Sequence, residues 1–158
     1  MEASQTPMPS LINWARAQSL WVLPFGECAC SGERTAALAA PGDLERMGVR
    51  AYSPVPEQAD LLLIGGRIAL KMLPVLKGIY ERMPAPKWVV AFGACACAAA
   101  TPSVIPPSRP GGFYDTYAQV QDIGRFVPVD AYVPGCPPRI EDLIDTLENL
   151  QRKIRRKP

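Results

Sequence analysis

The segment "ADLLLIGG", residues 59–66, decides the fold because its continuous apolar run "LLLI" ends in a double-glycine turn. A run of this length and composition is typical of a strand that is buried on both faces. Three further segments are predicted to be strands: the apolar runs in "SLWVLPF" at 19–25 and "KWVVAFGA" at 87–94, and the last strand in "RFVPVDAYVPG" at 125–135. Because helix-like segments separate these runs, the pattern predicts a parallel sheet covered by helices on both faces.

The segments that follow the predicted strands have the composition and spacing of helices. They are "GERTAALAA" at 32–40, "GDLERMG" at 42–48, "RIALKMLPVLKGIYERM" at 67–83 and "RIEDLIDTLENLQRKIRR" at 139–156. Pro74 lies inside the third of these segments, so we expect a kink there. In a sheet of this kind, ligands bind at the carboxyl ends of the strands.

The chain has 158 residues, which suits a single domain with a core of ordinary size. We divide it into an N-terminal arm at 1–18, an α/β domain at 19–156 and a basic C-terminal tail at 152–158. A proline-rich loop at 98–112 is either functional or a tolerated insertion. The chain has no run of 18 apolar residues and no signal-peptide core. These features predict a protein that is cytosolic, or peripheral on the cytosolic side of a membrane.

Charge is distributed unevenly along the chain. The net charge is +2, but the last seven residues, "RKIRRKP", hold five of the 17 basic residues and no acidic one. The other 12 basic residues are outnumbered by 15 acidic ones, so the rest of the chain carries −3. A basic tail suits anionic lipid or an acidic partner surface; alternatively, it is a solvated helix end, where cations favour the helix dipole. Aromatic residues do not alternate with the basic ones, so we expect no nucleic-acid binding.

The five cysteines fall where three of the predicted strands end. Cys28 and Cys30 follow the first strand, Cys95 and Cys97 follow the strand "KWVVAF", and Cys136 follows the last strand. Because the carboxyl ends of parallel strands meet at one edge of the sheet, three distant segments can bring thiolates together there. An odd number of cysteines in a chain of this length does not suggest a disulfide scaffold, so we expect reduced thiols.

A thiolate site in this chain would hold either zinc or an iron–sulfur cluster. The sequence has no histidine, which excludes mixed cysteine and histidine zinc sites and the usual hydrolytic zinc centres. Structural zinc sites usually draw on two Cys-x₂₋₄-Cys pairs, which this chain lacks. Dispersed ligands, one of them in Gly-Cys-Pro-Pro, favour a cluster. Alternatively, the cysteines are small buried apolar residues.

Several of these segments resemble one family, the B (PSST-type) subunits of respiratory complex I, the proton-pumping NADH:quinone oxidoreductase. The similar stretches are "SLWVLPFGECACSGE" at 19–33, the block from "QADLLLIGG" to "FGACA" at 58–96, and the block from "GGFYDTY" to "RIEDLI" at 111–144. The resemblance covers residues 13–154, and "VPVDAYVPGCPP" at 127–138 is highly specific.

The resemblance implies a flavodoxin-like α/β domain that binds one [4Fe–4S] cluster and passes electrons from it to quinone. In the family this cluster is the last in the electron-transfer chain, and the quinone lies in a cavity shared with the large, hydrogenase-like D-type subunit. The other expected partners are the C-type subunit, the ferredoxin-like I-type subunit and the membrane H-type subunit. The resemblance also implies a peripheral location on the cytoplasmic side of the bacterial inner membrane, and enzyme activity only within that complex.

By position, three cysteines correspond to cluster ligands of the family. Cys30 matches the second cysteine of a tandem pair, Cys95 the third ligand and Cys136 the fourth. The first cysteine of the tandem pair falls on Ala29. We therefore expect Cys28, one residue earlier, to supply the missing thiolate.

Further departures from the family lie close to the expected site. Cys97 is additional, and is either a competing ligand or a core residue beneath the cluster. Glu33, three residues after Cys30, matches a glutamate of the family; it either tunes the cluster or relays protons, or is an early-helix acid favoured by the dipole. Glu57 stands where the family commonly has arginine, and the loop at 98–110 is longer. The sequence "CSGERTA" replaces an apolar, methionine-containing helix start near the quinone.

Two other interpretations stay open. The same fold and cluster occur in small subunits of energy-converting nickel–iron hydrogenases, although there the first pair is typically Cys-x-x-Cys and the "VPVD…VPGCPPR" stretch is less similar. Alternatively, the altered first pair has lost the cluster, and the chain is a redox-silent assembly scaffold. In any of these interpretations, we expect Arg125 and Asp130 to be interface or structural groups rather than catalytic ones.

Overall fold

The structure is a computed structural model of the chain. It describes residues 8–26, 30–39, 43–50, 55–98, 120 and 123–156. Cys28, Ala29 and most of the predicted proline-rich loop (residues 99–112) lie outside the described residues, as do the two ends of the chain at 1–7 and 157–158.

In the described part of the chain, five parallel strands form the centre of the fold. They are β1 (Leu20–Phe25), β2 (Val49–Arg50), β3 (Leu61–Gly65), β4 (Trp88–Phe92) and β5 (Ala131–Val133). Their order across the sheet is β2-β1-β3-β4-β5, which is the flavodoxin-like order. The predicted fold class, a parallel α/β sheet in a single domain, is confirmed.

Helices connect the strands and cover the sheet. They are α1 (Met8–Ala17), α2 (Cys30–Ala39), α3 (Asp43–Arg46), α4 (Leu73–Arg82), α5 (Ala94–Ala98) and α6 (Ile140–Arg156). Short 3₁₀ turns occupy Pro56–Gln58, Leu70–Met72 and Ile123–Arg125. Among the described residues, no helix combines the length and the apolar character needed to cross a lipid bilayer.

The apolar residues of the central strands alternate between two cores, one on each face of the sheet. In β3, Leu61 and Leu63 belong to the core that α6 covers, whereas Leu62 and Ile64 belong to the core that α4 covers. Every residue of β3 and β4 is buried. Burial on both faces explains why these strands are continuous apolar runs instead of alternating ones.

Two aspartates hold the amino edge of the sheet. Asp60 accepts a hydrogen bond from the backbone N–H of Trp21 at 3.2 Å, and Asp130 accepts one from the backbone N–H of Val89 at 2.8 Å. Each aspartate directly precedes its own strand and contacts the neighbouring one, so it helps to set the register of the pair. In this position Asp130 is a structural group.

The structure corrects two details of the predicted elements. Pro74 does not kink a long helix. It lies in the first turn of α4, where its missing N–H is not needed, and a 3₁₀ turn precedes that helix. The last strand is shorter than predicted, because the N–H groups of Phe126 and Val127 donate to the carbonyl of Ile123 in a turn, at 3.0 and 3.1 Å.

The two predicted terminal segments include helical residues. The arm at 1–18 contains α1, a helix that the sequence pattern did not predict. It packs against α6, and its last residue, Ala17, is fully buried. The tail at 152–158 begins inside α6, where Ile154 is buried in the same core. Both segments therefore contribute to the packing of the domain.

Candidate metal centre at the carboxyl edge of the sheet

Cys30 is held at the carboxyl edge of the sheet as the first residue of α2. Its side chain is only 2% exposed, and its sulfur lies against Gly93, directly after β4: a Cβ atom at Gly93 would stand 2.8 Å from Sγ. Gly93 also has a φ of +92°, a conformation that residues with a Cβ rarely adopt. Both constraints require glycine at this position. The close approach to Gly93 also shows that the sulfur of Cys30 lies over the end of β4.

Two backbone hydrogen bonds join the turns that follow β4 and β5. The N–H of Gly93 donates to the carbonyl of Val133 at 2.8 Å, and the N–H of Ala94 donates to the carbonyl of Gly135 at 2.7 Å. Gly135 has a φ of +144°, and a Cβ there would stand 2.5 Å from the Cα of Pro138. The two turns are thus fixed to each other through their backbones.

Cys95 and Cys136 stand on these joined turns. Cys95 lies in the first turn of α5 and is half-buried, whereas Cys136 directly follows the second turn and is exposed. Together with Cys30, they bring three thiol-bearing segments to the same edge of the sheet. Cys28, the remaining predicted ligand, lies outside the described residues.

The arrangement of these donors differs from that of a single-ion site. Within the described ranges, no three cysteine, aspartate or glutamate side chains stand close enough together to hold one metal ion. A cubane cluster has another requirement, because each of its four iron atoms takes one thiolate and the ligands stand farther apart. Soft thiol donors on glycine-rich turns, in a chain without histidine, are compatible with such a cluster.

Cys97 has a different environment from Cys95, although only one residue separates them. The thiol of Cys97 donates to the carbonyl oxygens of Ala91 at 3.4 Å and Val133 at 3.5 Å, which belong to β4 and β5. Burial raises the pKa of this thiol to about 11, so it stays protonated at neutral pH. Its side chain packs against the core that α4 covers.

The structure adds a residue that sequence reasoning did not single out, the buried Arg34 of α2. It is 4% exposed, and its Nη1 donates to the carbonyl oxygens of Phe25 at 3.3 Å and Gly26 at 2.8 Å, where β1 ends. Nη1 also lies over Gly65 at the end of β3, where a Cβ atom would stand 2.8 Å from it. A cation one helical turn after Cys30, on a helix face of small and apolar residues, is the signal that could have identified it.

Glu33 borders a cavity between α2 and the start of α6. The cavity has a volume of about 270 Å³, and residues 137–141 form the rest of its lining. Glu33 is half-buried there. Glu33 therefore lines this cavity together with the segment that follows Cys136.

An apolar crevice borders Cys95 on the face of the sheet that α4 covers. Its other lining residues are Gly66, Ile68, Ala96, Val120 and Ile123. All of them are buried. This lining keeps one side of Cys95 away from water.

Comparison with solved structures defines the class of the fold. A chain of the membrane-bound sulfane sulfur reductase (MBS), an archaeal respiratory membrane complex, superposes with a TM-score of 0.73 at 35% identity, over 92% of this chain and 76% of that one. A chain of an NAD+-reducing [NiFe]-hydrogenase superposes with a TM-score of 0.59 at 21% identity, over 85% of this chain and 92% of that one. The second likeness concerns the fold alone. The fold is thus one that α/β subunits of respiratory and hydrogenase complexes share.

Comparison of sequences defines the family within this class. The family described as NADH ubiquinone oxidoreductase, 20 Kd subunit, matches residues 43–150. The B-type subunit of the NADH-quinone oxidoreductase of a Geobacter species is 48% identical over 149 residues, which cover 94% of this chain and 80% of that protein. The corresponding B-type subunit of Campylobacter fetus subsp. fetus is 44% identical over 149 residues, 94% of this chain and 82% of that protein.

The chain therefore belongs to the family of the 20 kDa subunit of NADH ubiquinone oxidoreductase. This confirms the family and the type of protein that the sequence predicted, a subunit of an oxidoreductase complex.

Proposed function

We propose that the chain is the electron-transfer subunit of a complex I-like NADH:quinone oxidoreductase. In this proposal it holds one [4Fe–4S] cluster through Cys28, Cys30, Cys95 and Cys136, and passes electrons to quinone at the interface with the large D-type subunit. The observation that carries the proposal is the meeting of three thiol-bearing segments at the carboxyl edge of a parallel sheet. That edge is where such sheets bind ligands, and a relative 48% identical to this chain is a B-type subunit of NADH-quinone oxidoreductase.

The environment of Cys97 supports Cys28 as the fourth ligand. Clusters are bound by thiolates. The thiol of Cys97 is instead a donor to two carbonyl oxygens of the sheet, and it would have to break both contacts and turn away from the sheet to bind a cluster. In the sequence, Cys28 stands two residues before Cys30, between β1 and α2.

The bound cluster would supply one-electron chemistry, and the residues of the chain would hold it and set its surroundings. The buried Cys30 fixes the site to the end of β4. Ile68 and Val120 keep water away from the side of Cys95. Cys136 is exposed, which leaves that side of the site open to a partner subunit.

Large apolar side chains on the surface support assembly with other subunits. Leu11 and Trp14 of α1, Val75 of α4 and Tyr132 of β5 are exposed. Apolar surface of this kind suits a chain that works inside a complex. The proposed partners are the D-type, C-type, ferredoxin-like I-type and membrane H-type subunits. The proposed location is peripheral, on the cytoplasmic side of a bacterial inner membrane.

Iron and sulfide analysis, together with electron paramagnetic resonance of the anaerobically purified complex, tests the proposal. Replacing Cys136 by alanine should remove the signal of one cluster. The same variant should also lose four iron and four sulfide atoms per complex. The matched variant Cys97→Ala should keep both, because the thiol of Cys97 is bonded to the sheet. An unchanged cluster signal in Cys136→Ala would contradict the ligand assignment. If the unaltered complex holds no iron that depends on this chain, the chain is a cluster-free scaffold.

The likeness to the sulfane sulfur reductase favours a second candidate. In it, the chain carries the same cluster in a related membrane complex that has a different electron donor or acceptor. The supporting observation is the TM-score of 0.73 at 35% identity with a chain of that archaeal complex. The purified complex decides between the candidates: reduction of quinone by NADH supports the first, whereas reduction of sulfane sulfur, or uptake of hydrogen, supports the second.

A further inference from the structure

Arg34 and Cys30 share one buried face of α2. Cys30 begins the helix and Arg34 follows four residues later, the spacing at which side chains lie one above the other. Arg34 is 4% exposed and Cys30 is 2% exposed. Arginine is almost never buried to this extent unless its polar groups are engaged, so its position at this edge needs a physical account.

The guanidinium of Arg34 lies over the ends of two strands. Its Nη1 donates to the carbonyl oxygens of Phe25 and Gly26 at the end of β1, and Gly65 at the end of β3 leaves the room for it. These hydrogen bonds orient the guanidinium at the carboxyl edge. Arginine stays protonated in proteins, and this charge is therefore permanent.

The sulfur of Cys30 lies over the next strand of the sheet. It contacts Gly93 directly after β4, and β4 pairs with β3 so that Gly65 stands opposite Phe92. Neighbouring strands are about 4.8 Å apart. The cation and the sulfur therefore stand over adjacent strand ends, within roughly two strand spacings of each other.

We propose that Arg34 is a positioning residue whose buried cation raises the reduction potential of the cluster that Cys30 holds. The inference rests on the proposed function. Reduction adds one electron, taken from the donor subunit, and makes or breaks no bond in this chain. The added negative charge interacts with a fixed cation nearby in a region shielded from water, so the reduced form is stabilised more than the oxidised form.

A redox titration of the purified complex, followed by electron paramagnetic resonance, tests this role. Arg34→Met removes the charge and keeps the length of the side chain. We expect the cluster signal at its normal intensity and a midpoint potential shifted downwards. Arg34→Lys keeps the charge, so its midpoint should stay close to that of the unaltered complex. The control is Arg82→Met. It removes an exposed cation that pairs with Glu57 at 2.7 Å, at the end of α4. This variant should leave the midpoint potential unchanged.

Gly65→Ala provides a test that keeps Arg34 in the chain. The new Cβ would stand 2.8 Å from Nη1, which is the flexible end of the arginine side chain, so the guanidinium must move. We expect the midpoint potential to change, by less than in Arg34→Met, because the cation moves but stays in the chain. If the Arg34→Met complex holds no cluster, the midpoint potential of Gly65→Ala tests the role of Arg34 instead.

An unchanged midpoint potential in Arg34→Met overturns the role of Arg34 and leaves the proposed function intact. If Arg34→Met holds no cluster, an unchanged midpoint potential in Gly65→Ala has the same meaning. A downward shift in Arg34→Lys as large as that in Arg34→Met also overturns it, because the charge would then not be the cause. Absence of the cluster signal from the unaltered complex overturns both proposals.

Discussion

At the amino edge of the sheet, charged side chains complete the hydrogen bonding of the backbone. At the carboxyl edge Arg34 also donates to backbone carbonyl oxygens, but the features that distinguish this edge are glycine turns and thiols. Asp60 and Asp130 each accept a hydrogen bond from a neighbouring strand, and Lys87 donates to carbonyl oxygens at the end of α4. At the opposite edge, Gly93 and Gly135 have positive φ values, and their missing side chains let other groups approach the backbone. The comparison indicates that one edge mainly stabilises the fold and the other mainly builds the site.

The largest effect is expected from Gly93→Ala at the carboxyl edge. The new Cβ would stand 2.8 Å from the sulfur of Cys30, and the φ of +92° disfavours any side chain. We expect loss of the signal of the proposed cluster and a decrease of about 2 kcal/mol or more in the free energy of unfolding. Iron analysis and chemical unfolding measure the two effects.

The control for Gly93→Ala is Gly32→Ala in α2, where a new Cβ would meet no atom within 4 Å. Because alanine is the better helix former, this variant should keep its iron and gain about 0.5–1 kcal/mol in stability. If the two glycine variants behave alike, Cys30 is not packed against the end of β4 as described.

A moderate effect is expected from Asp130→Ala at the amino edge. The buried backbone N–H of Val89 donates a hydrogen bond to the Asp130 carboxylate at 2.8 Å, and the variant leaves this N–H without its acceptor. The loss should lower the free energy of unfolding by about 1–2 kcal/mol. The cluster signal should persist, because the change lies at the other end of the strands. Asp145→Ala on the exposed face of α6 serves as the control, with an effect within about 0.5 kcal/mol. Loss of the cluster in Asp130→Ala would contradict the separation of the two edges.

The smallest effect concerns the pH dependence of stability at the amino edge. Burial raises the pKa of the Asp60 carboxyl, against the opposing effect of the hydrogen bond from Trp21. Because the folded-state pKa lies above the unfolded value, the folded chain binds more protons, and Asp60 makes the chain less stable as the pH rises through this interval.

Asp60→Asn keeps an oxygen that can accept from Trp21 and removes the titration. The stability of the unaltered chain relative to this variant should therefore fall as the pH rises from below the ordinary aspartate pKa towards neutrality. Chemical unfolding at a series of pH values measures the difference. A relative stability that rises with pH would show that the hydrogen bond outweighs burial at Asp60.

The strands β1, β3 and β4 could be predicted because their residues face two cores and so form continuous apolar runs. The same signal overestimated the length of β5, which was predicted within 125–135 and is Ala131–Val133 in the structure. Val127 is 1% exposed, but its backbone belongs to a turn. Apolar character reports that a side chain is buried; it does not report whether the backbone is extended. Helix α1 was not predicted, because its packing against α6 depends on a partner far away in the sequence.

The candidate site was predictable to the extent that strand order places it. Cys30, Cys95 and Cys136 each follow a strand, and parallel strands end at the same edge. The different environments of Cys95 and Cys97 were not predictable. Residues two apart are about 200° apart around a helix, and the orientation of α5 against the sheet decides which of them faces the core.

By itself, the sequence determined the parallel α/β class and the edge of the sheet at which the thiols gather, because runs of apolar residues and the position of a cysteine after a strand are local properties. Its motifs also indicated the family. Only the tertiary structure decided that the sulfur of Cys30 rests on Gly93, that the thiol of Cys97 faces the sheet and that Arg34 is buried beside the site. These features depend on contacts between backbones that are distant in sequence, where a missing Cβ atom on one strand makes room for a side chain from another segment.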